Sequence, residues 1–366
     1  MRLGVEAALV GGTLLPGDVD VDGGRIAAVG LAGGTRGHVA VPGFVDLQVN
    51  GFGGVDFLAA STEDYARAGE ALLETGVTAY QPTFITAPES VLLEALAAMP
   101  SDEDGRPRVL GAHVEGPFLS PDRLGTHPRE HRRDPDLGLL DRLLDAARVT
   151  EFTLAPELPG ADAAIRRLRE RGVVVSAGHS NATAAEAHAG FDLGVSTVSH
   201  LFNAMRPFRS RDPGVVGVAL TRADVVVQII VDGHHLADET VRLVWAAAGG
   251  RVALVTDATA GAAADGCDYR LGEIEIDVSG GVAMREDGVL AGSVLTMIDA
   301  FRNLHALGVP FEAAAAAAST VPARAIGRPD LGTLEPGGPA DVVVLDDRLE
   351  IVNVLCGGEA RVVARG

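Results

Sequence analysis

Short apolar runs recur along the chain, with helix-like stretches between them. Eight fall between residues 44 and 258: FVDLQVN, VTAYQPTF, RVLGAHVEG, VTEFTLAPE, VVVSAGHS, VSTVSHLFNAM, VVVQIIVDGHH and RVALVTDA. Several are separated by amphipathic stretches such as LLDRLLDAA (Leu139 to Ala147) and AIRRLRERG (Ala164 to Gly172), whose apolar residues recur at helical spacing. Alternating β and α units predict a parallel sheet, and eight of them predict a closed (β/α)8, TIM-like barrel, here over residues 42–330. The alanine run FEAAAAAAST predicts a late helix. The two chain ends follow another pattern. AALVGGTLLPGDVDVDGGRIAAVG and GTLEPGGPADVVVLDDRLEIVNVLCGG alternate short apolar segments with glycine turns, which predicts small antiparallel strands. Two distant β-rich ends most simply pair, giving a small β-sandwich domain from residues 1–41 and 331–366.

Composition narrows this picture. A chain of 366 residues exceeds one small core, and 47% hydrophobic residues exclude disorder. A net charge of −20 argues against a nucleic-acid partner, because phosphate neutralisation needs concentrated positive charge. The opening MRLGVEAALVGG has no long apolar stretch, and no segment resembles a membrane span. The expectation is a cytoplasmic protein with no membrane partner. Cys267 and Cys356 stand far apart, which fits neither a disulfide framework nor a cysteine metal site. There is no lysine, so all 30 Lys+Arg residues are arginines. A Schiff-base lysine, a P-loop lysine and a carboxylated lysine bridging two metals are thereby excluded.

The chemistry gathers at the tails of the runs. The third ends in His113-x-Glu115-Gly116-Pro117, the fifth in Gly178-His179-Ser180, and the sixth in Ser199-His200 with Asn203 following. The seventh ends in Asp232-Gly233-His234-His235 and the eighth in Thr256-Asp257-Ala258. In a (β/α)8 barrel these tails form one rim, where active sites are built. A single histidine at a strand end is more often a hydrogen-bonded structural residue. Five such ends in succession point to a shared site. Two imidazoles and a carboxylate suit Zn2+ or another borderline divalent cation. Such a cation lowers the pKa of its water to about 7. Asp257 is the candidate to take that water's proton and pass it to a leaving group; its other reading is a fourth ligand.

Taken together, PGFVDLQVNG, HVEGPFLS, GTHPR, AGHSNAT, SHLFNAMRPF, RDPGVVG, VDGHH, VTDATA, LAGSVLTM and PARAIG with GTLEPGGPADVVV resemble the amidohydrolase superfamily over nearly the whole chain. HVEGPF and SHLFNAM in this order are the specific part. The resemblance implies metal-dependent hydrolysis of the acetamide of N-acetyl-D-glucosamine 6-phosphate, giving glucosamine 6-phosphate and acetate. It implies Glu115, His179 and His200 as metal ligands and Asp257 as catalytic acid/base. His127 is implied as a catalytic residue that polarises the carbonyl, a role His235 could also fill. Thr126, His127, Asn203, Ala204, Asp232 and His235 are implied as substrate contacts, and Leu290, Ala291 and Gly292 as a pocket-lining loop. Arg211 is implied as the phosphate-binding arginine, reaching into the neighbouring subunit's site in a homodimer.

The cofactor implied is one divalent metal ion per subunit, Zn2+ first, with Fe2+, Co2+ and Mn2+ as alternatives. Some relatives carry His-x-His after the first strand and hold a second metal. Here the positions are Gln48 and Asn50. Amides are weak Zn2+ ligands, so a reduced site with one tightly held metal is expected, compatible with a weak second ion near Gln48 and Asn50. A sugar phosphate must overcome the acidic field, and Arg206, Arg209 and Arg211 offer guanidinium groups for it. Their other reading is pairing with surface acids, and His234 reads as a neighbour packed beside His235. Rival activities are deacetylation of N-acetylgalactosamine 6-phosphate and hydrolysis of a cyclic amide, though the latter generally wants His-x-His and a carboxylated lysine. A non-enzymatic sugar-phosphate sensor is the third alternative; retention of Glu115, His179, His200 and Asp257 argues against it.

Overall fold

The computed structural model describes residues 1–100 and 107–363. All eight apolar runs supply strands of one parallel barrel. Barrel strands 1 to 8 are Phe44–Val49, Val77–Ile85, Ala112–Glu115, Val149–Leu154, Val174–Ala177, Thr197–Val198, Val226–Ile229 and Val252–Leu254. Each pairs in parallel with the next. Among the described residues, strands 8 and 1 share no continuous ladder, and backbone hydrogen bonds join them at the upper end of the seam. There the Asp257 N–H donates to Gln48 O at 2.9 Å and the Asn50 N–H to Ala258 O at 2.8 Å. The third run is split in two. Arg108–Val109 pairs with strand 2, and Gly111 then breaks the strand at φ +107°. A Cβ at Gly111 would meet Arg148 O at 2.8 Å, so only glycine fits this turn.

The outer helices form where apolar spacing and capping agree. Leu137–Ala146 buries Leu139, Leu140, Leu143 and Leu144, and Asp136 caps its first amides. Thr62–Glu74 and Ala184–Leu193 each start with a reciprocal capping box, Ser61 with Asp64 and Thr183 with Glu186. The alanine run becomes the helix Phe311–Ala318.

The barrel interior is unusually polar, where bulky branched side chains are the usual filling. His113 Nε2 meets Thr153 Oγ1 at 2.7 Å, Thr153 meets Ser199 at 2.8 Å, and Ser199 meets Ser176 at 2.8 Å. Below them the buried Glu151 accepts from Thr197 at 3.0 Å and Gln228 at 2.7 Å.

The chain ends pair as expected. A six-stranded sheet runs in the order Thr13–Pro16, Val5–Val10, Thr35–Pro42, Val342–Leu345, Ile351–Cys356 and Glu359–Val363. The hairpin Asp18–Asp22 with Arg25–Leu31 packs against it through Val19, Val21 and Ile26, completing the sandwich. One pairing differs from expectation: Val5–Val10 and Thr35–Pro42 run parallel. The intervening hairpin acts as a crossover, so the chain re-enters the sheet in its original direction. Residues 364–366 of the carboxy-terminal segment lie outside the described residues. A second hairpin, Asp268–Leu271 with Ile274–Asp277, follows strand 8 and was not expected from the β/α alternation. Among the described residues, no helix is long and apolar enough to cross a membrane.

Candidate metal centre and substrate cavity

Three of the strand tails turn sharply just past their last paired residue. His179 (φ 48°), His200 (φ 27°) and Asp257 (φ 50°) all adopt the left-handed backbone that side chains other than glycine avoid. Such positions cost about 1–3 kcal/mol each and persist where surrounding structure enforces them. Here the turns bring all three side chains to a cavity of about 240 Å3 at the carboxy-terminal mouth of the barrel.

Glu115, His179 and His200 meet at this mouth, with their ligand atoms all within 4.8 Å of one another, and all three are buried. His179 Nε2 lies 3.1 Å and His200 Nε2 2.9 Å from the same atom, Glu115 Oε1. Burial alone would raise the Glu115 carboxyl, but contacts from His127, His179 and His200 outweigh it and hold the group well below its usual range. Burial lowers His200, and the Glu115 contact and the charges of Glu115 and Asp257 outweigh it, raising the ring to about 9.

Backbone partners assign the imidazole protons. His179 Nδ1 sits 2.9 Å from the carbonyl oxygen of Arg123, which can only accept, so Nδ1 carries the proton. Nε2 is then the nitrogen that faces Glu115, and as a metal ligand it would present its lone pair there. A proton or a metal cation between Nε2 and Oε1, 3.1 Å apart, satisfies both atoms. Glu115, His179 and His200 thus fit a bound divalent metal by donor chemistry and by the carbonyl that orients His179.

His127 is built the other way round. Its Nδ1 receives the backbone N–H of Thr86 at 3.2 Å, so the proton of the neutral ring sits on Nε2. That Nε2–H faces Glu115 Oε2 at 3.6 Å, and the ring packs 4.3 Å from the His179 ring. Burial lowers His127 to about 4, so the ring is a neutral donor. His235 is oriented by Asp232, whose Oδ2 lies 2.7 Å from Nδ1. Burial would raise Asp232, but its bonds with His235 win and hold it at about 2.

Asp257 lines the cavity opposite the ligand group. Burial first, then the charge of Glu115, raises its carboxyl to about 6. Its Oδ1 accepts from Asn50 Nδ2 at 2.7 Å, while Gln48 Nε2 lies 3.3 Å from Glu115 Oε1. The amide pair therefore serves one carboxylate each. The side-chain oxygens of the pair, Gln48 Oε1 and Asn50 Oδ1, are buried without a partner among the described residues.

The structure brings most expected site residues to this cavity, including Thr126, His127, Asn203, Ala204, His235, Leu290 and Gly292. Three expected substrate contacts lie elsewhere. Asp232 stands behind His235. Ala291 is fully buried, its N–H donating to Ala283 O at 3.0 Å. Arg211 is exposed and outside the cavity lining, with no ion pair among the described residues. Arg206 is paired with Asp212 at 2.8 Å, and His234 is exposed. Sequence reasoning missed Thr86, which bonds His127, and the lining residues Ile85, Gly125, Leu271 and Val289. Thr86 had a visible signal, a polar residue directly after the second apolar run. Leu271 and Val289 come from the unexpected hairpin and the segment that follows it.

Comparison with known proteins agrees with this geometry. The amidohydrolase family model matches residues 39–361. The N-acetylglucosamine-6-phosphate deacetylase of Homo sapiens is 37% identical over 385 aligned positions, covering 96% of this chain and 93% of that protein. The N-acetylgalactosamine-6-phosphate deacetylase of Escherichia coli O157:H7 is 36% identical, covering 87% and 86%. A crystallised mutant of the N-acetyl-D-glucosamine-6-phosphate deacetylase of Mycobacterium smegmatis, in complex with N-acetyl-D-glucosamine-6-phosphate, superposes with a TM-score of 0.93 at 37% identity over 99% of both chains.

Proposed function

The chain belongs to the amidohydrolase family, and on that premise we propose that it hydrolyses the acetamide of N-acetyl-D-glucosamine 6-phosphate to glucosamine 6-phosphate and acetate. The observation that carries this reading is the opposed proton placement on two adjacent histidines. His179 offers a lone pair and His127 offers an N–H, one to a cation and one to a carbonyl oxygen. Deacetylases named for this substrate, alike over nearly the full chain, support the substrate class.

Glu115, His179 and His200 would hold one divalent cation, with Zn2+ the first expectation for this donor set. A cation bound there supplies an acidified water at neutral pH and draws electron density from the carbonyl. Asp257 takes a proton from the attacking water as its oxygen bonds to the acetamide carbon. The carboxyl's raised pKa suits a group that must accept and then return a proton near neutrality. His127 Nε2–H donates to the carbonyl oxygen as negative charge builds there. Asp257 then delivers its proton to the amine nitrogen as the C–N bond breaks, releasing acetate and the amino sugar. Asn50 holds Asp257 Oδ1, which leaves Oδ2 for this traffic.

Thr126, Asn203, Ala204 and His235 would contact the sugar. Arg211 lies outside its own cavity, which supports a homodimer in which it binds the phosphate in the neighbouring subunit's site. A phosphate ester does not cross membranes unaided, so the substrate supports a cytoplasmic enzyme. The N-acetylgalactosamine 6-phosphate epimer is a second reading, favoured by the Escherichia coli relative.

Acetate release from a panel of N-acetyl hexosamines, with and without the 6-phosphate and before and after chelation, tests the proposal. Turnover should require the phosphate, vanish on stripping and return with Zn2+. Activity surviving complete removal of metal would overturn it. Asp257→Asn should lower kcat by about 10²–10⁴-fold with the metal retained; near-normal turnover would remove Asp257 from its role.

A further inference from the structure

The proton that His127 presents to the cavity is decided on the far side of its ring. Two contacts from one residue converge on Nδ1: the Thr86 backbone N–H at 3.2 Å and Thr86 Oγ1 at 2.9 Å. Thr86 directly follows barrel strand 2 and is buried. Its hydroxyl has no other hydrogen-bond partner among the described residues. The space for that hydroxyl is cleared by Gly116, the glycine of HVEGPF. A Cβ at Gly116 would lie 2.3 Å from Thr86 Oγ1. Chain segments after strands 2 and 3 therefore cooperate to put one hydroxyl beside one ring nitrogen.

A backbone N–H can only donate, so Nδ1 must accept. The hydroxyl proton avoids the neighbouring N–H by pointing at the same lone pair. Were Nδ1 protonated instead, its N–H would face the Thr86 backbone N–H, donor against donor, and the hydroxyl would have to turn round to accept. The Nε2 lone pair would then face Glu115 Oε2 at 3.6 Å, lone pair against lone pair. His127 would also become a competing imidazole ligand for the cation.

We propose that Thr86 is a positioning residue that locks His127 in its Nε2–H form, so the ring always donates to the reacting carbonyl and never ligates the metal. This rests on the role given to His127 above. Thr86→Val keeps the side-chain shape and the backbone N–H but removes the hydroxyl; Thr86→Ser restores it. Measurements on metal-loaded protein are kcat, KM, metal content and the 15N resonances of the His127 ring, assigned by their loss in His127→Gln. The wild-type ring should show a protonated Nε2 and a bare Nδ1.

Thr86→Val should show partial Nδ1 protonation, a kcat reduced about tenfold, a KM within about twofold and an unchanged metal content. Thr86→Ser should recover both ring spectrum and kcat. In the His127→Gln background, Thr86→Val should cost nothing further. The proposal is overturned if Thr86→Val leaves kcat and the ring spectrum unchanged, or if its loss tracks loss of metal. The two readings fail separately. Near-normal kcat in His127→Gln removes the carbonyl-polarising role itself, whereas a severe loss there with a silent Thr86→Val removes only the tautomer lock.

Discussion

At the scale of single residues, backbone polarity divides labour between two touching imidazoles. Arg123 offers a carbonyl to His179 and Thr86 an amide to His127, so rings 4.3 Å apart present opposite faces to the site. The same substitution should therefore have different consequences at each. His179→Gln should lower metal affinity by at least about tenfold, since it removes a ligand. His127→Gln should keep the metal and lose about 10²–10³-fold in kcat, the usual loss when an oxyanion donor is removed. Metal content by plasma mass spectrometry, read beside turnover, separates the cases; loss of metal in His127→Gln would refute the assignment. The sequence makes the side chains legible, because ionisable residues sit at the tails of apolar runs. It hides their proton states, because Arg123 contributes only a carbonyl that every residue possesses. Asp232 misleads for a related reason. A carboxylate two residues before a histidine pair reads as a ligand-facing group, yet it is consumed in orienting His235.

At the scale of elements, the eight strands were legible from apolar runs, and the barrel order follows from their parallel alternation. What escaped is whatever the β/α rhythm has no slot for. Gly111 splits the third strand because a left-handed turn is set by contacts with Arg148 and Thr150, far along the chain. The hairpin after strand 8 is likewise invisible to a count of β/α units, though it delivers Leu271 to the cavity, and the segment returning from it delivers Val289 beside the expected Leu290. The chain returning from it forms a partial ninth strand against the end of strand 8. The Ser293 N–H donates to Asp257 O at 2.8 Å, and the Thr259 N–H to Ser293 O at 3.0 Å. Gly292 makes that approach feasible, with φ +63° and a would-be Cβ only 2.6 Å from Asp257 O. Gly292→Ala should thus push on the backbone of Asp257 itself. A misplacement of about 1 Å at the reacting centre costs about 10²-fold. The expected result is a kcat loss of that order with metal content intact. A variant with full turnover would mean that the returning segment does not fix the position of Asp257.

At the scale of the whole molecule, the barrel is organised around polar groups the chemistry does not touch. Glu151 lies fully buried beneath the site, bonded to Thr197 and Gln228. Burial, opposed by those hydrogen bonds and assisted by the charge of Glu115, raises its carboxyl from an ordinary 4.5 to about 7. With its amide turned, Gln81 Nε2 donates to Glu151 Oε2 at 3.0 Å and to Leu47 O at 3.1 Å. Asp46, beneath the seam of strands 8 and 1, is raised to about 7 by burial as well. A folded pKa above the unfolded one favours the native state in acid. Its stabilising effect is complete below about pH 4.5 and is lost as pH rises through about 7. A shift of this size corresponds to about 3 kcal/mol for Glu151 across that window, at about 1.4 kcal/mol per pKa unit. Glu151→Gln keeps the shape, retains an amide oxygen to accept from Gln81 Nε2 and never ionises. It should therefore resist urea better than wild type at about pH 8, by up to about 3 kcal/mol, with the advantage shrinking toward about pH 5. Metal-loaded wild type and variant, unfolded at several pH values, give the comparison. Parallel stability profiles would show that Glu151 is neutral at every pH tested and that another group carries the pH dependence of this polar core.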